Sequence, residues 1–329
     1  MKKILVSSTT VSRKWPKNLS KYDNYLFEDE KERKIGNSYI FYEKNVRYFN
    51  AVIISIWKLK YYKNYSFFGD KTTLQRVKRI LKNFLLSKDN IETIEAGTWC
   101  TDNKSHVYFH WLFDALQRAE LASKYLDEYP LLIPERYIEN KFIIDTLDHL
   151  NFKYKILEEN KIYKVKNLLI TSKTALTGNY HPEILDRLVE RFRVNASTEG
   201  VESYKNIFIY RKSSLGRSIV NFEEIETLLL EYEYKIIEFE QFSFSEKIAL
   251  LENTKNLVGL FGSGLSNMIY LKAGSNVVEL RRKHDNKNNA FYSLANSRNI
   301  NYYYGFFNIT NQGCLVDKEA LRNILNIIK

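Results

Sequence analysis

Cysteine and proline are scarce in this sequence. Among 329 residues there are two cysteines, Cys100 and Cys314, and four prolines. Two distant cysteines form neither a disulfide framework nor a zinc site, so the chain is expected to fold in a reducing compartment. Glycine is also sparse, at 12 residues, whereas apolar residues make up 44% of the chain. This composition argues against disorder and predicts a compact protein large enough for two domains.

A long apolar run is missing as well. The chain starts Met1-Lys-Lys-Ile-Leu-Val, and the apolar run stops at Ser7, which is too short for the core of a signal peptide. Lysine and arginine interrupt every longer apolar stretch, so no membrane span is expected. These absences predict a cytoplasmic protein and leave open a peripheral position at the inner face of a membrane.

Positively charged residues outnumber negatively charged ones. Lysine plus arginine number 50 and aspartate plus glutamate 39, a net charge of +11 that is spread along the chain. Such a surface favours anionic partners, among them nucleotides, phosphorylated lipids, an anionic membrane face and nucleic acid, although lysines also serve solubility alone. No helix-turn-helix, zinc or RNA-recognition motif is present, so a basic nucleic-acid-binding protein is kept only as an alternative.

The segments of the chain predict an α/β fold in two domains. The first third is irregular, with an amphipathic helix predicted over Thr72–Leu86. A small polar stretch at residues 195–200 is the best linker candidate. It divides an N-terminal α/β domain, residues 1–195, from a C-terminal Rossmann-like domain, residues 196–329. Packing of the last helix back on the N-terminal lobe is left open.

The C-terminal domain shows serial βα winding, which is typical of a doubly wound parallel sheet. Asn221 is expected to cap its first helix, with Glu224 reaching back to the Asn221 amide. The predicted elements are the strands Asn206–Tyr210, Lys235–Phe239, Asn256–Phe261 and Asn276–Leu280 and the helices Phe222–Tyr232, Ser245–Asn253 and Leu265–Leu271.

The strongest local motif is a glycine-rich turn, Gly259-Leu-Phe-Gly-Ser-Gly-Leu-Ser-Asn267, between a predicted strand and a predicted helix. Gly262 and Gly264 allow a tight turn and a close approach to a ligand, and the helix behind them offers amides to an anion such as a diphosphate. The spacing matches neither the dinucleotide-binding fingerprint nor a P-loop. A plain tight turn is the alternative.

Two arginines follow the first strand of this domain. Arg211 and Arg217 are expected to face the same crevice as the glycine turn, because ligands bind at the carboxyl ends of parallel strands. Their guanidinium groups suit phosphates and the charge of a departing nucleotide. Exposed loop arginines are the alternative. Glu279 is predicted to end a later strand and to bind ribose or sugar hydroxyls, or else to pair with Arg281 or Arg282.

The N-terminal domain carries a candidate catalytic helix. In the predicted helix from Ser105 to Lys124, four polar residues at four-residue spacing form one stripe on an otherwise apolar helix. His110 beside Asp114 suits a general base whose imidazolium is stabilised by a carboxylate. A buried structural pair is the alternative. The stripe consists of His106, His110, Asp114 and Arg118.

An Asp-x-Asp pair at a strand end is absent from the sequence. Asp102-Asn-Lys and Asp285-Asn-Lys are poor substitutes for it. The sequence therefore favours chemistry that needs no metal ion and no cofactor, with arginines and a helix terminus stabilising the negative charge.

These segments together resemble glycosyltransferase family 61. The resemblance rests on the ordered run from Asn206 to about Leu280, with Tyr-Arg, Asn-Phe-Glu-Glu, Gly-Ser-Gly-Leu-Ser-Asn-Met and Ala-Gly-Ser-Asn-Val-Val-Glu in turn, and on Tyr108–Arg118. It implies a GT-B architecture, with two Rossmann-like lobes facing a central cleft. It implies donor-binding roles for Arg211, Arg217, Ser263, Gly264, Ser266, Asn267 and Glu279.

The resemblance also implies the reaction. It implies inverting transfer from a nucleotide-diphosphate sugar. From the residues themselves we expect an acceptor hydroxyl, deprotonated by His110 or Asp114, to attack the anomeric carbon. The acceptor is expected to be a glycan or lipid-linked oligosaccharide of capsule or lipopolysaccharide synthesis, with His106 and Arg118 on the acceptor side. Phe261 stands where the family commonly has histidine. Either a donor contact is lost or another nucleotide or sugar is used, and a non-catalytic sugar-nucleotide-binding domain is a second alternative.

Overall fold

The protein is described by a computed structural model that covers residues 2–50, 52–55, 58, 60–62, 65, 91–196, 200–211, 218–283 and 288–329. The predicted helix over Thr72–Leu86 lies outside the described residues. Among the described residues, no helix is long and apolar enough to span a bilayer.

The described residues form a mixed α/β fold. The strands are β1 (Lys2–Val6), β2 (Thr9–Ser12), β3 (Glu32–Ile35), β4 (Ser38–Phe49), β5 (Val52–Ser55), β6 (Lys60–Tyr61), β7 (Ile91–Trp99), β8 (Leu131–Pro134), β9 (Tyr154–Leu157), β10 (Ile162–Thr171), β11 (Asn206–Ile209), β12 (Lys235–Ile237), β13 (Asn256–Leu260), β14 (Asn276–Arg282), β15 (Asn301–Thr310) and β16 (Gly313–Val316).

The helices alternate with these strands over most of the chain. The α-helices are α1 (Asn24–Phe27), α2 (Tyr108–His110), α3 (Leu116–Leu121), α4 (Glu135–Ile138), α5 (Lys141–His149), α6 (Pro182–Val194), α7 (Phe222–Glu231), α8 (Phe244–Glu252), α9 (Ala290–Ser297) and α10 (Lys318–Ile328). A π-helical turn, Trp111–Ala115, joins α2 to α3, and 3-10 helices span Glu28–Glu30, Ser123–Tyr125, Phe239–Gln241 and Ser263–Tyr270.

The chain forms two compact units that are discontinuous in sequence. Unit 1 comprises Met1–Thr9, Gly36–Thr177 and Glu183–Leu188, and unit 2 comprises Thr10–Ile35, Gly178–Pro182 and Val189–Lys329. Residues 10–35, which the sequence groups with the first domain, therefore pack in unit 2.

Unit 1 is built on one sheet with the order β6-β5-β4-β10-β7-β8-β9, and β1 pairs with β4. The strands β10, β7, β8 and β9 are parallel, whereas β4 pairs with β1, β5 and β10 in antiparallel fashion. Strands and a helix alternate along β7, β8, α5 and β9, as the predicted α/β class of the N-terminal domain requires. The central strand β10 escaped prediction because Lys164 and Lys166 interrupt its apolar run.

Unit 2 is built on a sheet with the order β12-β11-β13-β14-β15-β16. The first five strands are parallel, and β16 is antiparallel to β15. This confirms the predicted serial winding. Because the chain leaves β11 towards β12 and then returns to β13 on the other side, the winding changes direction between β11 and β13.

A ladder of four asparagine side chains crosses the amino ends of the parallel strands of unit 2. Asn256 donates to Asn206 at 2.8 Å, Asn276 donates to Asn256 at 2.7 Å, and Asn301 donates to Asn276 at 3.0 Å. The four residues are also paired in the backbone register. Asn206 closes the ladder by donating to the Tyr232 carbonyl at 3.1 Å. Buried amides are thus satisfied by one another, which fixes the register.

The helix start predicted at Asn221 is only partly correct. Asn221 is the residue before α7, but its side chain does not cap that helix. Its amide instead donates to the Val316 carbonyl at 2.9 Å and accepts from the Val316 amide at 3.1 Å. The capping box lies at α8, between Ser243 and Glu246. Pairing with Val316 of β16 satisfies two backbone groups, whereas a cap satisfies one.

The last helix, α10, buries its apolar stripe in unit 2. The sequence leaves open whether this helix packs on the N-terminal lobe instead. Its buried residues belong to the same core as α7 and the sheet: Leu321, Ile324, Leu325 and Ile328.

We expect Asn256→Ala to lower the stability of unit 2 by about 3 kcal/mol, because two buried ladder groups lose their partner. The Tm should fall by roughly 6–12 °C in differential scanning calorimetry. Asn308→Ala, an exposed position of β15, is the matched control and should change stability by less than about 0.5 kcal/mol. An equal Tm for the two variants would contradict a stabilising ladder.

Candidate functional site

A pocket lies at the carboxyl ends of β11 and β13, where the winding of the unit 2 sheet changes direction. Ligands of doubly wound folds bind at this point because the connections diverge there and leave a crevice. The pocket is a small depression, and the roughly 370 Å³ of empty space at this place includes open solvent. Among the described residues, the lining combines apolar side chains with the guanidinium of Arg211: Ile209, Tyr210, Arg211, Ile219, Leu260, Phe261 and Gly264.

The glycine-rich turn adopts a backbone that requires glycine. Gly262 has φ 154° and ψ 176° and precedes a 3-10 helix, Ser263–Tyr270, rather than the expected α-helix. That combination of angles is essentially restricted to glycine. A Cβ on Gly264 would lie 3.1 Å from Ile209 Cγ2. The space that a side chain at this position would need is therefore occupied by Ile209.

The polar residues of the turn divide by burial. Ser266 is fully buried and Asn267 is 2% exposed, and the Asn267 amide donates to the Gly264 carbonyl at 2.8 Å. Ser263 and Gly264 are partly exposed. Direct contact with a ligand is therefore open to Ser263 and Gly264, whereas Asn267 acts on the shape of the turn.

Of the two predicted arginines, Arg211 is on the pocket wall. Its side chain is 33% exposed, and its Nε lies 3.4 Å from Glu240 Oε1. A half-exposed ion pair of this kind is weak, so the guanidinium can exchange Glu240 for a phosphate. Arg217 lies outside the described residues. Phe261 also lines the pocket, with its ring edge-on to Phe291 at 5.7 Å.

The prediction that Glu279 ends its strand is wrong, because β14 continues to Arg282. Glu279 is fully buried and accepts a hydrogen bond from the Tyr302 hydroxyl at 2.5 Å. Burial, followed by the Glu279 charge, raises the pKa of Tyr302 well above its ordinary value. Arg281 lies two residues on, on the same face of the strand, and is also fully buried. Glu279 therefore belongs to an internal polar network of unit 2.

The prediction that four polar residues form one stripe on a helix of unit 1 is wrong. The helix begins at Tyr108, so His106 lies in the preceding turn, exposed and stacked at 6.4 Å on Tyr137. The π-helical turn Trp111–Ala115 then widens the helix, which breaks the regular spacing.

His110 and Asp114 do form the predicted pair. His110 Nδ1 lies 2.7 Å from Asp114 Oδ2, with side chains 17% and 9% exposed. An ionised carboxylate accepts from Nδ1–H, which leaves Nε2 as the nitrogen able to take a proton. π-helical turns occur frequently at functional sites, and this one contains Asp114. The arrangement has the geometry of a general base held by a carboxylate.

Thr177 joins this pair, a contact that the sequence did not predict. Its hydroxyl donates to Asp114 Oδ2 at 3.2 Å and to Oδ1 at 3.3 Å. It lies in the segment after β10, 63 residues from Asp114, and no local pattern signals so distant a contact.

Arg118 is an interior residue rather than a surface group. It is 1% exposed and donates to the carbonyls of Thr101 at 3.3 Å and Thr171 at 3.1 Å. Its guanidinium also lies 5.1 Å from the centre of the Tyr65 ring. Arg118 therefore ties the segment after β7 to the end of β10, and its predicted acceptor-side role gains no support from this position.

In the part of the chain that the structure describes, no group of three or more His, Cys, Asp or Glu side chains could hold a metal ion. Independence from metal stays a prediction.

Comparison with known proteins adds an independent observation. A family model described as Glycosyltransferase 61 matches residues 108–278, just over half of the chain. The matched range contains both the His110–Asp114 pair and the pocket-lining residues from Ile209 to Gly264.

A curated relative is similar over a shorter stretch. The EGF domain-specific O-linked N-acetylglucosamine transferase of Gallus gallus is 28% identical over 121 residues, which cover 33% of this chain and 21% of the relative. The match thus spans about a fifth of the length of that relative.

We expect Gly262→Ala to destabilise unit 2 by about 1–3 kcal/mol, because alanine is strained at this backbone conformation. The measurement is the urea unfolding midpoint. Gly36→Ala is the matched control, since a Cβ there meets nothing within 4 Å, and it should leave the midpoint unchanged. Tolerance of both substitutions alike would show that the turn relaxes without cost.

Proposed function

Because the chain belongs to glycosyltransferase family 61, we propose that it transfers a hexose or pentose from a nucleotide-diphosphate sugar to a hydroxyl group of a glycan or lipid-linked oligosaccharide. The observation that carries the proposal is the pocket at the β11/β13 switch point, with Arg211 on its wall. The GT-B arrangement, with two Rossmann-like lobes facing a cleft, is part of this proposal.

The pocket suits the diphosphate end of a donor. The Arg211 guanidinium offers a planar, permanent cation to phosphate oxygens. The 3-10 helix that starts at Ser263 directs its first amides and its positive end towards the same edge of the sheet. Arg211 would stabilise the negative charge that develops on the departing nucleotide, so no metal ion is required by this proposal.

The His110–Asp114 pair suits activation of the acceptor. Nε2 of His110 takes the proton of the acceptor hydroxyl while its oxygen bonds to the anomeric carbon, and the bond from that carbon to the nucleotide phosphate breaks. The electron pair leaves with the nucleotide, and attack from the opposite face inverts the anomeric configuration. Asp114 stabilises the imidazolium that forms, and Thr177 orients Asp114.

The identity of the substrates extends the proposal further. The avian relative is named for N-acetylglucosamine transfer, so a nucleotide-diphosphate N-acetylglucosamine is the first donor to test. A cytoplasmic role in capsule or lipopolysaccharide synthesis remains the proposed setting. Phe261 presents an aromatic surface to the pocket, so either the donor contact that histidine makes in the family is absent or another nucleotide or sugar is used.

Donor binding is tested by thermal shift with a panel of nucleotides and nucleotide sugars, with and without EDTA. We expect one nucleotide series to raise the Tm in an EDTA-insensitive way, since a ligand that binds the folded state stabilises it. Arg211→Ala should abolish that shift, whereas Arg282→Ala, an exposed arginine at the end of β14, should preserve it. A panel without any shift would contradict the proposed donor site.

The proposed base is tested by release of nucleoside diphosphate from the donor so identified. We expect His110→Ala and Asp114→Asn to lower kcat by about 10²–10⁴-fold, the range for loss of general base catalysis, with little change in the donor KM. His149→Ala, at the end of α5 in the same unit, is the control. Near-normal turnover in folded His110→Ala would overturn the base assignment.

A further inference from the structure

A short segment of unit 2 presents aromatic and basic side chains together at the surface. In the part of the chain that the structure describes, the exposed aromatic residues number four, and three of them lie within 11 residues: Trp15, Tyr22 and Tyr25, with 41%, 76% and 51% exposure. Three exposed lysines lie in the same segment, at Lys14, Lys17 and Lys21. We refer to these six residues as the basic aromatic loop.

The backbone of this loop is fixed to unit 2. The Lys17 amide donates to the Tyr302 carbonyl at 2.8 Å, and the Tyr292 hydroxyl donates to the Lys14 carbonyl at 2.8 Å. The Asn18 side chain donates to the Tyr304 carbonyl at 2.7 Å and accepts from its amide at 3.1 Å. The six side chains are therefore displayed from an anchored backbone, so little backbone entropy is lost when they bind a surface.

The charge of the loop is of one sign. No acidic residue occurs before Asp23 in the sequence, and the Asp23 carboxylate accepts from the Tyr304 hydroxyl at 2.6 Å. Arg13 is excluded from the exposed charge because its side chain is buried against Glu30. The exposed acids Glu28 and Asp29 follow on the next 3-10 helix. The loop itself thus carries three exposed cations beside three exposed rings.

Two rings of the loop already pair with a lysine, one from the loop itself and one from outside it. Lys21 Nζ lies 5.0 Å from the centre of the Tyr22 ring, and Lys31 Nζ lies 4.5 Å from that of Trp15. Tryptophan and tyrosine settle at the headgroup level of a bilayer, because their rings are apolar and their N–H and O–H groups are polar. Lysines beside them are attracted by anionic headgroups. A soluble polyanion without aromatic groups, such as a sulfated polysaccharide, would use the lysines but would leave the rings in water.

We propose that the basic aromatic loop docks unit 2 on the surface of an anionic lipid bilayer. The rings enter the headgroup layer and the three lysines contact lipid phosphates. The inference does not depend on the proposed transfer reaction, because it rests on residues outside the pocket and outside the His110–Asp114 pair. It fits an enzyme whose acceptor is held at a membrane.

The test is co-sedimentation of the full chain with vesicles made either of phosphatidylcholine alone or of equal parts phosphatidylcholine and phosphatidylglycerol. We expect binding to the mixed vesicles only. The triple variant Lys14→Glu/Lys17→Glu/Lys21→Glu should lower the partition coefficient by on the order of a hundredfold, at about fivefold for each lysine. Trp15→Ser/Tyr22→Ser/Tyr25→Ser should lower it by roughly tenfold or more.

The control carries the same change of charge elsewhere on unit 2. Lys205→Glu/Lys235→Glu/Lys255→Glu alters three exposed lysines near the amino ends of β11, β12 and β13 and should keep most of the binding. A Tm within a few degrees of the wild-type value shows that each variant is folded. If a lysine-to-glutamate variant is not folded, the corresponding lysine-to-glutamine variant is used in its place. The donor thermal shift should be unchanged in all of them, which separates this test from that of the transfer reaction.

Three results would overturn the proposal. The wild-type chain would stay in the supernatant with both vesicle types, or the control variant would lose as much binding as the loop variant. Alternatively, the serine variant would bind the mixed vesicles as tightly as the wild type and the chain would bind soluble heparin equally well. That last outcome would identify the loop as a site for anionic polymers rather than for a bilayer.

Discussion

The asparagine ladder sets the register on which the unit 2 pocket depends. With Asn206 held opposite Asn256, Ile209 falls opposite Gly259, where a Cβ would lie only 3.2 Å from the Ile209 side chain. A slip of one residue would bring a bulky side chain to this place and turn the neighbouring side chains to the other face of the sheet. The carboxyl ends of β11 and β13 are therefore level, and Arg211 and Phe261 line the same pocket.

In unit 1 the buried side chain of Arg118 fixes the backbone in a comparable way. Arg118 holds the segment after β7 and the end of β10 through the carbonyls of Thr101 and Thr171. The two chain segments that leave these points carry His110 and Thr177, which meet at Asp114. A buried guanidinium is tolerated because its hydrogen bonds are satisfied by fixed carbonyls. Positioning of the candidate base thus depends on an interior residue that lies outside the His110–Asp114 pair.

Unit 2 is completed by a segment from the other end of the chain. Phe27 is fully buried among the rings of Tyr292, Tyr302 and Tyr304, at centroid distances of 5.0, 6.1 and 5.2 Å, and Arg281 lies 5.1 Å from its centre. The same packing anchors the basic aromatic loop and encloses the Glu279–Tyr302 hydrogen bond. Residues 10–35 are for this reason part of the unit that contains the pocket.

The sequence alone determined the serial winding of unit 2, the place of the glycine-rich turn, the position of Arg211 and the His110–Asp114 pair. These features follow from local periodicity, strand-end rules and four-residue helix spacing, which depend on neighbours in the chain. Only the tertiary structure decided that Arg118 and Glu279 are interior, that Thr177 joins Asp114 and that residues 10–35 complete unit 2. Each of these depends on contacts across tens to hundreds of residues, and burial there is set by packing that no local pattern encodes.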